Sequence, residues 1–164
     1  MSVQTSYNFA TPKGVAGGLY DLSPYAVDSR RNEANDGVLK FGMGVVVGTT
    51  AGNQVKVPAA TSDKFEGIAL NGFSNELDMS GKLTLKNGAT VGVLRKGRVW
   101  ARIKAGVTVA YGNDVYLIAS GANAGLLTNA EEKTGESTVI TIKITGAKFI
   151  GVKGTGDVAP VELN

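Results

Sequence analysis

The chain has 164 residues, 43% of them apolar, and a formal net charge of +3, which fits one globular domain or a domain with an arm. It contains no cysteine and no histidine, so disulfides, thiolate nucleophiles, the common zinc sites and a Ser-His-Asp arrangement are excluded. Glycine supplies 23 residues against four prolines, a bias toward short strands and tight turns rather than a disordered tract.

In chain order, residues 1–36 come first and read as an extended N-terminal arm. The start lacks a basic region followed by an apolar run, so no signal peptide is expected. No apolar run is long enough for a membrane helix, and no membrane partner is expected. The stretch "SYNFATPKGVAGGLYDLSPYAVDSRRNEAND" has no sustained period of 2 or 3.6, yet it carries Tyr7, Phe9, Leu19, Tyr20, Leu22 and Tyr25. Spaced aromatics argue against a solvated tail. They fit an extended segment lying on a surface, its own or a partner's. A meander packed on its own domain is the alternative.

Residues 37–164 read as a β-domain. "GVLKFGMGVVVGTT" is an apolar run broken by glycines. "NQVKVPAA" alternates until Pro58, and "FEGIALNGF" is a strand ending at Asn71-Gly72. "GKLTLKNGATVGVL" alternates through Leu83 and Leu85 and predicts a hairpin at Asn87-Gly88. "RVWARIKAGVTVAYGNDVYLIA" gives two strands parted by Gly106. "STVITIKITG" places Ile140, Ile142 and Ile144 on one face and Val139, Thr141 and Lys143 on the other. "AKFIGVKG" and "VAPVEL" are the last candidates. No window holds a helical apolar period over three turns. The predicted class is all-β, a Gly-rich barrel or sandwich.

Two stretches echo each other. "FGMGVVV" (41–47) matches "YGNDVYL" (111–117), and "FEGIA" (65–69) matches "FIGVK" (149–153), in the same order. This predicts two similar β-units closing one barrel.

The charge is uneven. Lys82, Lys86, Arg95, Lys96, Arg98, Arg102 and Lys104 fall in residues 82–104, which hold no acid. Alternation puts Arg98, Trp100, Arg102 and Lys104 on one face, and Val99, Ala101, Ile103 and Ala105 on the core side. Arg beside Trp suits a protein interface. The competing readings are a solvated stripe, a nucleic-acid face that uses 95–104, or a sugar platform of Trp100 with Tyr111 or Tyr116. One Trp on one strand is thin for single-strand binding, so a protein partner is preferred. The Gly-rich "GVKGTGD" and "GVAGGL" lack the strand–loop–helix setting of a phosphate site. The acid clusters "NEAND" and "AEEKTGE" sit in polar loops, where nothing tunes them for catalysis. No cofactor, no metal and no enzyme activity are expected.

The segment "YNFATPKGVAGGLYDLSPYAVDSR", followed by "VPAATSDKFEGIAL", resembles the structural cement or head decoration proteins of tailed bacteriophages. The likeness covers most of the chain and is weakest in the last third. It implies a β-rich, non-enzymatic virion protein, made in the host cytoplasm and added to the outside of an assembled capsid. There it would bind the major capsid protein and hold neighbouring capsomers. It also implies a homo-oligomer, with a trimer favoured. On this reading the arm residues Tyr7, Phe9, Tyr20 and Tyr25 meet the capsid. Arg98, Trp100 and Arg102 meet either the capsid or a sister subunit.

Overall fold

The computed structural model describes residues 14–72, 84–135, 138–154 and 156–164. Those residues contain eleven strands and no helix. They are β1 (Ala26–Asn32), β2 (Gly44–Val47), β3 (Gln54–Lys56), β4 (Phe65–Ala69) and β5 (Thr90–Arg102) in the first half. The second half holds β6 (Asp114–Ile118), β7 (Leu127–Thr128), β8 (Lys133–Thr134), β9 (Thr138–Val139), β10 (Thr141–Phe149) and β11 (Val158–Leu163). The all-β prediction holds.

Nine strands form one sheet in the order β1-β3-β2-β4-β5-β11-β10-β6-β7, and β1 also pairs with β5. That extra pairing closes β1, β3, β2, β4 and β5 into a five-stranded barrel. The remaining strands continue from the other half of β5. An isolated parallel bridge, Ile103 to Leu127, brings β7 back toward the end of β5. β8 and β9 form a separate small hairpin.

The two halves repeat the same plan. Gly42 donates its N–H to Ala69 O and Gly112 to Phe149 O, both at 2.7 Å. Ala69 N–H returns to Met43 O, and Phe149 N–H to Asn113 O. Leu70 N–H reaches Gly92 O where Ile150 N–H reaches Pro160 O, and Asn32 N–H reaches Ala89 O where Ile103 N–H reaches Asp157 O. The 41–47/111–117 echo therefore marks equivalent positions. Its glycines are required because Gly42 and Gly112 have φ of 81° and 84°, in the left-handed region. The second echo is out of register, since the hydrogen bonds match Phe149 to Ala69 rather than to Phe65. The expected single barrel is also corrected. The first unit closes with β1, and the second is built beside it on the far half of β5.

Two apolar clusters follow from this plan. Val45, Val55, Ala69, Val91 and Val93 fill the first barrel with Leu39, Met43 and Leu85. Their counterparts Val115, Leu127, Phe149, Ala159 and Val161 fill the second unit. Val46, Ile68 and Leu94 point out of the first barrel and join the second cluster, which fuses the units. Gly44 lies at the seam, where a Cβ would fall 2.6 Å from Leu117 Cδ1.

Several local expectations change. Ala26–Asn32, read as part of the arm, is a barrel strand, because Asp28, Ser29, Arg30 and Arg31 pair with Val93, Gly92, Val91 and Thr90. Asn87-Gly88 is a turn, but 84–86 form no strand, and Leu83 lies outside the described residues. β5 runs unbroken through Arg95-Lys96-Gly97, although the alternation fails there; Gly97 absorbs the break with φ 122°. At the start of β10 Thr141 is buried while Ile140 and Ile142 are only partly so, and a register shift between Lys143 and Lys148 precedes buried Phe149. Ala105 is exposed in the turn after β5.

Candidate functional site

The described part of the arm is held on β5 by backbone pairing. Gly17 N–H donates to Trp100 O at 2.7 Å, Trp100 N–H to Gly18 O, and Tyr20 N–H to Arg98 O. Asn71 N–H donates to Gly17 O from the far side. The Trp100 indole lies over this segment. A Cβ on Gly14 would fall 2.1 Å from the ring, and one on Gly154 would fall 3.1 Å away. The Tyr20 ring packs at 5.4 Å between centroids, tilted by 50°. Trp100 therefore spends its aromatic surface inside the chain.

Beyond Tyr20 the chain crosses to β1 at Gly97. A Cβ there would lie 2.7 Å from Tyr25 Cβ and 3.2 Å from Tyr25 Cα, so only glycine leaves room for the crossing. The crossing segment projects large apolar groups outward. Leu22 is 91% exposed, Tyr25 53%, Tyr20 42% and Val27 40%.

The basic stripe, acid-free in sequence, is largely answered in space. Arg98 binds Glu162 through Nε at 2.8 Å and Asp21 through Nη1 at 2.9 Å. These two acids hold its guanidinium above the usual arginine range, Glu162 contributing more. Asp21 is held below the usual carboxylate range, mainly by hydrogen bonds from Ser23 and then by Arg98. Arg95 meets Asp28 at 3.2 Å and Glu66 at 3.4 Å, and Lys104 meets Glu132 at 2.8 Å. Arg102 has no acid partner among the described residues; its Nε donates to Phe41 O at 2.8 Å. It stands with Lys40 between two clefts of about 360 and 380 Å³, the first walled by Met43, Val57 and Leu126.

Of the residues singled out in sequence, the structure brings Tyr20, Arg98 and Trp100 together, with Tyr25 beside Gly97. Arg102 lies farther along β5 at the clefts. Tyr7 and Phe9 lie outside the described residues. Tyr116 stands on β6, separated from the Trp100 strand by β11 and β10, with its ring 5.8 Å from Lys143 Nζ. Sequence reasoning missed Leu22 and Lys40 as surface features, because nothing local marks which apolar or basic side chain a fold leaves uncovered. Among the described residues no group of three or more His, Cys, Asp or Glu could hold a metal. The described residues contain no helix long and apolar enough to cross a membrane.

The described residues thus form a closed barrel with a second β-unit beside it, residues 17–20 docked on β5 and four exposed apolar side chains between Tyr20 and Val27. The model of the structural cement protein family, described by E217 gp24 and Pam3 gp6, matches residues 3–164. The chain is a structural cement protein. A solved chain from "The capsid of Myoviridae Phage XM1" shares the fold, with a TM-score of 0.70 at 18% identity, covering 100% of this chain and 98% of that one. A search of curated proteins gives no match. The family is a structural one, associated with the phage capsid and hence with the virion. Nucleic-acid binding through 95–104 is not favoured, since three of the five cations there already face carboxylates.

Proposed function

We propose that this cement protein binds the outside of an assembled capsid and ties neighbouring capsomers together through the major capsid protein. It does so as a homo-oligomer, with a trimer favoured, after synthesis in the host cytoplasm. The observation that carries the reading is the apolar row Tyr20, Leu22, Tyr25 and Val27. Four large apolar side chains within eight residues are exposed there, a density that marks an interaction surface. The segment bearing them is fixed at one end by Trp100 and Arg98 and at the other by β1, so little ordering entropy opposes docking. Tyr7 and Phe9 are read as contact residues as well, and Arg102 with Lys40 offers cations to acidic surface. Many copies around a symmetric shell would add avidity.

The test is co-sedimentation with shells that lack this protein. Leu22→Asp with Tyr25→Ala should lower shell affinity at least tenfold with an unchanged melting curve, because both side chains are solvent-facing. Full attachment by the variant would refute the reading. Retention on DNA with a steep salt slope would restore the nucleic-acid alternative.

A further inference from the structure

The repeated plan exposes a difference between the halves. The matched hydrogen bonds set Asn32 against Ile103, so Val27 and Ser29 of β1 correspond to Arg98 and Trp100 of β5. On β5 the outward C=O of Arg98 accepts from Tyr20, and the outward N–H and C=O of Trp100 are taken by Gly18 and Gly17. On β1 the equivalent edge has no backbone partner among the described residues beyond Arg31 and Asn32. Gly92 gives its carbonyl to Leu70, on the β4 side. Val91 and Val93 therefore face β1, where they take Arg30 and Asp28 as partners. The backbone groups of Val27 and Ser29 then point away from β5. On that side β3 reaches only Arg31 and Asn32, and Ser29 O takes a single 3.4 Å contact from the Arg30 side chain. Val27 and Ser29 are exposed, and Leu22 and Tyr25 precede them in the crossing segment.

We propose that this edge receives the N-terminal residues of a second copy of the chain, which add a strand along Val27–Ser29 as residues 17–20 do on β5. The inference rests on the homo-oligomer in the reading above and specifies how its copies join. Within the arm, Val3, Thr5, Tyr7 and Phe9 alternate with Gln4, Ser6 and Asn8, a strand pattern with one apolar face. That face would meet the exposed Val27, leaving Leu22 and Tyr25 of the crossing segment open to the shell. The occupant comes from a neighbour because of direction. Tyr20 lies opposite Arg98 and Gly17 opposite Trp100, so the chain, traced back toward its start, leads away from the 90–96 half that β1 lines. Handing an arm from each copy to the next is a head-to-tail contact, which closes into a ring such as a trimer.

Two variants of the full chain test this. Ser29→Pro removes the outward donor at a position where an edge strand tolerates proline. The mass by light scattering should fall from a multimer to the 16.9 kDa monomer, with the β circular dichroism kept. The chain has no cysteine, so Ser29→Cys paired in turn with Thr5→Cys, Tyr7→Cys or Phe9→Cys introduces the only thiols. Oxidation should give covalent multimers for at least one pair, which decides the matter even if the proline variant fails to fold. A disulfide closed within one chain, a multimer mass untouched by Ser29→Pro, or a monomeric parent protein would overturn the proposal. Shell co-sedimentation is scored separately. A variant that loses arm exchange yet still sediments leaves the capsid reading standing, and a protein that exchanges arms without sedimenting refutes that reading alone.

Discussion

Replacing Gly97 by alanine tests the crossing that links the arm to the barrel. Two costs add at this residue. Its φ of 122° is rarely adopted by residues with a side chain, a strain of about 1–3 kcal/mol. The new methyl would also sit 2.7 Å from Tyr25 Cβ and 3.2 Å from Tyr25 Cα, and overpacking of this kind costs about 1–3 kcal/mol. The Cα belongs to the backbone, so no rotamer change relieves the contact. The sum, about 2–6 kcal/mol, corresponds at about 3 °C per kcal/mol to a fall in Tm of roughly 6–18 °C for a chain this size. Gly52→Ala is the control, since Gly52 has φ 79° and nothing within 4 Å of its added methyl. It should lose only the backbone part, about 1 kcal/mol. Adding Tyr25→Gly to Gly97→Ala removes the opposing Cβ and should recover the contact part, measured as a coupling in a double-mutant cycle of urea denaturation. Equal losses at Gly97 and Gly52, with no coupling to Tyr25, would refute the crossing argument.

Trp100→Ala should release the 14–20 segment while both units stay folded. Loss of a half-buried indole of about 2 kcal/mol would speed hydrogen exchange at the Gly17 and Tyr20 amides roughly thirtyfold. Asp114 is held down to about 2, first by Lys143 and then by Lys148. Its folded value lies below the unfolded one, so its contribution is fully present above about pH 4 and fades as the pH falls toward 2. Asp114→Asn should flatten that part of an acid-denaturation curve, and an unchanged curve would show that the lysines do not act on it. Deleting residues 1–13 should leave the barrels folded, whereas deleting 1–30 removes most of β1 and should abolish the cooperative transition in circular dichroism.

The strand between Arg98 and Ile103 was legible because apolar and basic residues alternate there with nothing interrupting them. The Gly42 and Gly112 turns were legible because each is followed by the same apolar spacing. The partners of the stripe were not. Arg98 finds Asp21 and Glu162 on opposite flanks of the sequence, 77 and 64 residues away, and only the fold brings them together. Thr141 was misplaced because a β-bulge downstream resets which face is inward, and isoleucine spacing alone carries no record of it. β1 escaped notice because "AVDSRRN" is polar on both sides. As a strand with an open edge it buries little, so periodicity had nothing to register.

β5 gives the molecule a mechanical character. Thirteen residues at about 3.3 Å each make one covalent rod of roughly 40 Å that serves as a stave in both units. Tension applied across the pair therefore runs along a peptide backbone rather than through a linker or a slip plane. To part the units, the ladders to β1 and β4 on one half, or to β11 and the 17–20 segment on the other, must fail together in shear. A brace of this kind stretches little before it breaks.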